Sequence, residues 1–187
     1  MTHPFFFGYG SLVNRATHDY ATAHPARVCG WRRAWRHTLS RPVAYLTAVP
    51  DETTEIDGLI AEVPMADWTA LDHRERAYDR VRAAGVSHPL AATPEVHIYW
   101  VPDGKHQPAS HAHPILLSYL DVVVQGYLRE FGEPGVDRFF ATTDGWEGPV
   151  LDDRLAPRYA RHQPLSRFEH GLVDAWLRAL SVEVIAG

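Results

Sequence analysis

The chain has 187 residues, 45% of them apolar, and this length and composition predict one globular domain with a hydrophobic core. Its formal net charge of -5 argues against a nucleic-acid partner, which needs a concentrated basic surface. The locally basic stretch 27–41 alternates arginines with tryptophans, a pattern typical of a strand with a solvated face. The single cysteine, Cys29, excludes an internal disulfide.

The sequence gives no sign of membrane association. No apolar run approaches the ~20 residues needed to cross a bilayer. The N-terminus also lacks the charged and apolar regions of a signal peptide. We therefore expect a cytoplasmic protein without a membrane partner.

Strands are predicted mainly in the first half of the chain. Apolar or alternating stretches lie at 5–9, 28–39, 43–49, 56–63 and 95–101. Gly30 predicts a bulge in the second strand. The polar segment 51–55 predicts a hairpin loop between the third and fourth strands.

Three helices are predicted, at 67–78, at 114–132 and from Ser166 onward. Asp67 is a good N-cap, Pro114 suits a first helical turn, and Gly132 is a good helix end. Ser166 and Glu169 predict a capping box. The third helix is expected to turn four apolar residues inward: Leu172, Val173, Trp176 and Leu180. Early strands and late helices together predict an α+β fold with a mostly antiparallel sheet.

The segment 142–164 shows no clear periodicity. A structureless stretch of about 20 residues is unusual inside a compact domain and often has a function. Its charged residues predict an ion-pair network that fixes the segment, with a substrate-selecting lid as the alternative. These residues are Asp152, Asp153, Arg154, Arg158 and Arg161.

A glycine-containing loop follows the first strand in the stretch FFFGYGSLVN, residues 5–14. It lacks the spacing of a phosphate-binding loop, the third glycine of a dinucleotide fingerprint and the flanking glycines of a serine nucleophile elbow. Glycines allow successive backbone N–H groups to point inward and bind an anion. A purely structural turn is the alternative.

A carboxylate lies among apolar residues on the first predicted helix. Glu75 shares one helical face with Trp68, Leu71 and Tyr78. Burial raises the pKa of a carboxyl group, which suits proton transfer near neutral pH. The alternative is a structural ion pair between Glu75 and an arginine: Arg74, Arg76 or Arg32.

Five segments carry a family resemblance in their order and spacing: FGYGSL, ARVCGWRRAW, DGLIAEV, LDHRERAYDRV and EVHIYWV. Together they resemble the gamma-glutamylcyclotransferase-like superfamily, which includes ChaC-type and AIG2-like relatives. The resemblance covers about residues 5–101. The motifs are most similar to those of the glutathione-specific, ChaC-type branch.

The resemblance implies a small mixed, barrel-like sheet flanked by helices. We expect a single domain over 1–187, with a core at about 4–131 and a helical C-terminal extension at about 132–187. The family loop corresponds to Tyr9, Gly10, Ser11 and Leu12, which would bind the gamma-glutamyl group. The family acid/base corresponds to Glu75. A tyrosine of a later family motif has its counterpart in Tyr119 or Tyr127.

The implied reaction cyclises a gamma-glutamyl peptide or amine to 5-oxoproline, with no cofactor and no metal. The stretch 139–165 has no counterpart in the minimal family pattern, which leaves glutathione in doubt as the substrate. A non-catalytic binding protein and a gamma-glutamyl hydrolase or acyltransferase remain alternatives. A homodimer remains an alternative to a monomer. A metal site at His106, His111 and His113 beside Asp103 is disfavoured, because no established ligand spacing is present.

Overall fold

The computed structural model describes residues 3–38, 42–102, 104 and 106–187, so Leu39, Arg41 and Asp103 lie outside the described residues. A curled eight-stranded sheet forms the centre of the fold. Its strands are β1 (Phe5–Gly8), β2 (Ala23–His37), β3 (Tyr45–Glu62), β4 (Asp79–Arg82), β5 (Val86–Ser87), β6 (Val96–Trp100), β7 (Gln107–Pro108) and β9 (Thr143–Asp144). The prediction of an α+β fold with a mixed, barrel-like sheet is confirmed.

The sheet curls because β3 contacts different strands along its length. The C-terminal half of β3 pairs antiparallel with β1, and β1 pairs parallel with β6. In the N-terminal half of β3, Ala48 pairs with Trp100 at the end of β6. Strands β3 and β6, which both pair with β1, therefore also contact each other beyond the end of β1. This arrangement places the loop after β1 at one end of the barrel.

The predicted hairpin at 51–55 is wrong. The chain runs through this region as one strand, and both halves of β3 pair with β2. The extra residues form a bulge opposite Gly30, where φ is +83°. The Asp51 carboxylate accepts hydrogen bonds from the Thr53 backbone and from the Thr53 and Thr54 hydroxyls. A polar segment that bonds itself in this way can interrupt a strand without reversing it.

Two helices flank the barrel. The first, α1 (Thr69–Arg74), is much shorter than the predicted 67–78. The second, α2 (Leu117–Ala141), continues past the predicted end but breaks at Gly132, where φ is +67°. Pro114 precedes β8 (Ile115–Leu116) rather than starting the helix. Gly132 therefore ends one helical segment, as predicted, and a second segment follows at once.

The C-terminal part adds a small parallel sheet and a third helix. Strand β10 (Val150–Asp152) pairs with β8 on one side and with β11 (Val184–Ala186) on the other. Together, β9 and β10 show that 142–164 is not wholly irregular. The predicted capping box at Ser166 is confirmed at the start of α3 (Arg167–Ala179). The expected inward position of Leu180 is wrong, because Leu180 is exposed and Leu177 is buried instead.

The basic stretch on β2 is not simply a solvated face, because Arg33 is completely buried. Its guanidinium donates to the Thr143 and Tyr127 hydroxyls and to the Asp57 carbonyl. These bonds supply the partners that a buried charge needs. Within the described residues, no helix is both long and apolar enough to span a membrane.

Candidate active site

The loop after β1 turns sharply into a short 3-10 helix, Ser11–Val13. A side chain at Gly8 would place its Cβ 2.6 Å from the Leu12 Cβ. A side chain at Gly10 would place its Cβ 2.7 Å from the Tyr119 Oη. Contacts this close explain why the loop has glycine at both positions.

Tyr9 anchors the loop to the barrel. Its hydroxyl donates to the Tyr99 carbonyl over 2.5 Å. Its own carbonyl accepts from the Tyr127 hydroxyl over 2.8 Å, and Arg33 Nη1 donates to that same hydroxyl over 3.0 Å. Burial raises the pKa of Tyr9, so its phenol stays protonated. The Tyr9 side chain is therefore fixed in place and lines the pocket as a neutral group.

Asn14 and Gly126 hold the far side of the loop against α2. The Asn14 Nδ2 donates to the Val122 carbonyl and to the Gln125 Oε1, over 3.0 and 2.9 Å. A Cβ at Gly126 would come within 2.7 Å of the Asn14 backbone nitrogen. The loop is thus fixed between the barrel and the long helix.

Glu75 lies at the C-terminal cap of α1, not within a helical face as predicted. Its φ of -97° and ψ of 22° leave the helical range, and its carbonyl accepts from the Tyr78 backbone over 2.8 Å. The chain turns here because Asp79 begins β4, which pairs with β6. The Glu75 side chain is largely buried, with 17% of its surface exposed.

Arg74 connects Glu75 to the loop. Its Nε lies 3.1 Å from the Glu75 Oε1, so Arg74 and Glu75 form an ion pair. Its Nη2 donates to the Ser11 Oγ over 3.3 Å, and its Nη1 donates to the Thr17 carbonyl over 2.9 Å. Arg32, another partner considered for Glu75, pairs with Asp144 instead. The ion pair also aligns the carboxylate beside the loop.

The structure brings all six predicted site residues to one pocket of about 30 Å³, called the inner pocket here. They are Tyr9, Gly10, Ser11, Leu12, Glu75 and Tyr119. The other lining residues are Phe7, Gly8, Leu46, Tyr78 and Tyr99. The sequence placed Tyr78 beside Glu75, but as a core residue. Leu46 and Tyr99 come from strands and carried no signal of a site.

Tyrosines dominate the electrostatics of the inner pocket. Burial raises the pKa of Tyr78 and Tyr119, and the nearby Glu75 charge raises both further. The Tyr78 hydroxyl donates to the Leu46 carbonyl over 2.9 Å. The Tyr119 hydroxyl lies beside Gly10, where a Cβ would come within 2.7 Å of the phenol oxygen. Both phenols therefore remain protonated beside a carboxylate.

A second cavity of about 140 Å³, called the outer cavity here, opens beside the inner pocket. The two share four lining residues: Ser11, Glu75, Tyr78 and Tyr119. The outer cavity adds Arg74 from α1 and, from the segment after β10, Tyr159 and Arg161. The sequence suggested a substrate-selecting role for that segment only as an alternative, and nothing in the pattern singled out Tyr159.

The histidines considered for a metal have other contacts. The His111 Nε2 lies 3.0 Å from the Glu183 Oε2. His113 stacks on His37, with ring centroids 3.9 Å apart. Among the residues that the structure describes, no group of three or more His, Cys, Asp or Glu side chains is arranged to hold a metal ion.

Sequence comparison gives a match to one protein family. The model of the family described as gamma-glutamyl cyclotransferase, AIG2-like, matches residues 6–119. This range includes every predicted site residue. No curated protein sequence matches the chain significantly.

Several solved structures share the fold. An uncharacterized protein of Homo sapiens, loc79017, has a TM-score of 0.60 at 13% identity, over 93% of this chain and 99% of its own. A protein described as gamma-glutamyl cyclotransferase has a TM-score of 0.57 at 13% identity, over 92% and 98%. YkqA of Bacillus subtilis has a TM-score of 0.57 at 17% identity, over 78% and 57%. At these identities the likeness concerns the fold.

Proposed function

The chain belongs to the gamma-glutamyl cyclotransferase, AIG2-like family, and we propose that it cyclises a gamma-glutamyl peptide or amine to 5-oxoproline. One observation carries the proposal: a single largely buried carboxylate, Glu75, lies in the same pocket as the Tyr9–Leu12 loop. A carboxylate beside backbone donors and neutral phenols suits proton transfer during attack on an amide.

In this reaction, the α-amine of the substrate attacks its own γ-carbonyl carbon. A new C–N bond closes a five-membered lactam, and the amide C–N bond to the leaving group breaks. Glu75 takes the proton from the attacking nitrogen and delivers a proton to the leaving nitrogen. One carboxyl group can perform both transfers in turn, so no second acid/base residue is needed.

Much of the rate would come from positioning, because nucleophile and electrophile belong to one molecule. A well-oriented intramolecular reaction can gain an effective molarity of ~10⁵ M or more. The fixed loop and the packed phenols provide a rigid surface against which the substrate can adopt the required rotamer. The Tyr9 anchor and the Gly126 contact hold that surface in place.

The loop and Tyr119 would stabilise the oxyanion that forms during attack. Ser11 begins the 3-10 helix, so its backbone N–H has no partner within that helix, and both Ser11 and Tyr119 line the inner pocket. A substrate oxygen could accept hydrogen bonds from this N–H and from the Tyr119 hydroxyl. Preorganised donors of this kind typically contribute ~3 kcal/mol each to a transition state.

Product analysis with a panel of gamma-glutamyl compounds tests the proposal. The wild-type protein is expected to release 5-oxoproline, and Glu75→Gln is expected to abolish release while keeping the fold. Glu147→Gln is the matched control, because Glu147 is exposed and lies outside both cavities.

The products also separate the rival functions. Free glutamate in place of 5-oxoproline would indicate a hydrolase. Binding of a panel member without any product would indicate a binding protein. Near-wild-type 5-oxoproline release by Glu75→Gln would show that the assigned acid/base is wrong.

A further inference from the structure

The outer cavity extends from Glu75 away from the inner pocket, toward the segment after β10. Its outer wall is formed by Tyr159 and Arg161, which lie about 85 residues beyond Glu75 in the chain and belong to the stretch without a family counterpart. A substrate that places its scissile amide beside Glu75 would direct its leaving group into this cavity. The wall is therefore suited to select the leaving group.

Several buried contacts hold this segment in position. The Asp153 carboxylate, with its residue 4% exposed, accepts from the Ser118 backbone and hydroxyl over 2.8 and 2.6 Å. The Gln125 side chain donates to the Pro164 carbonyl over 3.1 Å. These contacts fix both ends of the segment to α2. Its cavity-facing residues are thus part of a fixed wall.

Tyr159 links the wall to the proposed site. Its ring packs edge-on against the Tyr119 ring, with centroids 5.0 Å apart. Its backbone N–H donates to the Ser118 hydroxyl over 3.3 Å. The next lining residue, Arg161, therefore stands at a defined place at the edge of the cavity.

The charges of the outer cavity favour an anion. Its charged lining residues are Arg74, Arg161 and Glu75, which leaves one positive charge in excess on a protein whose formal net charge is -5. Arg74 is already engaged by Glu75, Ser11 and Thr17. Within the described part of the chain, the Arg161 guanidinium makes no hydrogen bond or ion pair. An arginine held beside a cavity without a partner can bind a carboxylate through two N–H groups.

We propose that Arg161 recognises a carboxylate on the leaving group, so that the preferred substrates are gamma-glutamyl amino acids or peptides rather than gamma-glutamyl amines without an acidic group. This inference rests on the proposed function for the position of the scissile bond. The gamma-glutamyl group itself is expected to bind at the Tyr9–Leu12 loop, so Arg161 distinguishes only what lies beyond the amide.

A matched pair of ligands isolates the leaving-group carboxylate. Gamma-glutamyl-alanine and gamma-glutamyl-ethylamide have the same gamma-glutamyl part and differ in the carboxylate of the leaving amine. Their dissociation constants are measured by calorimetry with Glu75→Gln protein, which should not turn them over. Release of 5-oxoproline from both is measured with protein that retains Glu75.

The dissociation constant of gamma-glutamyl-alanine is expected to be about tenfold lower than that of the ethylamide. This is the effect typical of one exposed charge-assisted hydrogen bond. Arg161→Gln should reduce this ratio toward one, and Arg161→Lys should restore part of it. Arg158→Gln is the control, because Arg158 is exposed on the same segment but outside the cavity lining. It should leave the ratio at the wild-type value.

The outcomes separate the two proposals. Three results would overturn the role of Arg161. Protein that retains Arg161 could bind the two ligands equally well, it could bind neither, or Arg161→Gln could weaken the binding of both by the same factor. A fourth outcome is tighter binding of gamma-glutamyl-alanine that depends on Arg161, without release of 5-oxoproline from either compound. It would support the role of Arg161 and reject the cyclisation.

Discussion

The Tyr119 hydroxyl lies directly against Gly10, where a Cβ would come within 2.7 Å of the phenol oxygen. Tyr119 has little room to retreat, because its ring packs edge-on against both Trp35 and Tyr159. The shape of the loop and the position of this tyrosine therefore depend on each other.

Gly10→Ala is expected to destabilise the protein by about 1–3 kcal/mol, the usual cost of inserting a methyl group into a packed site. Tyr119→Phe removes the oxygen with which the new methyl group would clash. Gly10→Ala should therefore reduce the unfolding free energy by less in that background. Urea denaturation of the two single variants and the double variant measures the coupling. Strictly additive effects would show that the contact is not the cause.

The loop and the carboxylate could be recognised from the sequence because both are local patterns. The glycines follow an apolar strand, and the Leu-Asp-x-Arg-Glu pattern identifies Glu75. The periodicity of the sequence could not show that the loop and Glu75 line the same pocket. It depends on the curled sheet and on the early end of α1 at Arg74, which is set by the pairing of β4 with β6.

The errors also have physical causes. The segment 51–55 looks like a hairpin loop, yet long-range pairing of β3 with β2 keeps it within one strand. The sequence predicts a solvated Arg33, because the alternation along a strand does not show which other elements cover each face of the sheet. Helix α2 covers the face with Arg33: the guanidinium lies over the Tyr127 and Phe139 rings and donates to the Tyr127 hydroxyl and the Phe139 carbonyl.

Tyr127→Phe should disrupt the support behind the loop. The Tyr127 hydroxyl lies 2.8 Å from the Tyr9 carbonyl and 2.7 Å from the Asp57 carbonyl, and it accepts from the buried Arg33. Removing it leaves buried polar groups with fewer partners, which we expect to cost about 1–3 kcal/mol of unfolding free energy.

Urea denaturation measures this loss. Tyr20→Phe is the matched control, since the Tyr20 hydroxyl makes no hydrogen bond within the described residues, and its effect should be small. A Tyr127→Phe variant as stable as the control would contradict the assigned role of the hydroxyl.

Asp153→Ala should weaken the start of α2. The N-cap residue of this helix is Leu116, which cannot cap it, so Asp153 supplies the acceptor for the Ser118 backbone from a distant part of the chain. Asp153 also accepts from the Arg158 backbone over 2.9 Å. The loss of such a cap typically costs about 1–2 kcal/mol.

The Asp153 variant also tests the fixed wall of the outer cavity. Thermal unfolding measures the stability loss, and limited proteolysis after Arg158 or Arg161 reports on the segment. We expect faster cleavage there, with Leu155→Ala as the control because Leu155 is fully exposed on the same segment. Unchanged cleavage in Asp153→Ala would mean that other contacts hold the segment.

His18 should make stability depend on pH. Its Nε2 lies 3.2 Å from the Leu12 carbonyl, and its Nδ1 accepts from the Tyr20 backbone over 3.3 Å, which together require a neutral ring with a proton on Nε2. Burial lowers the pKa of His18 below its ordinary value of 6.5, and the nearby Arg74 and Arg15 lower it further. The hydrogen bond to the Leu12 carbonyl opposes this shift but does not reverse it.

The sign of the effect follows from proton binding. As the pH falls below 6.5, the unfolded chain protonates this histidine before the folded protein does, so proton binding lowers the free energy of the unfolded state and stability falls. Above 6.5 the ring is neutral in both states and the penalty disappears. His18→Gln keeps an N–H donor for the Leu12 carbonyl but cannot protonate. Urea denaturation at about pH 7.5 and about pH 5.5 should show a smaller loss for His18→Gln than for the wild type. His24→Gln on β2 is the control, and an equal loss in all three proteins would exclude His18 as the source.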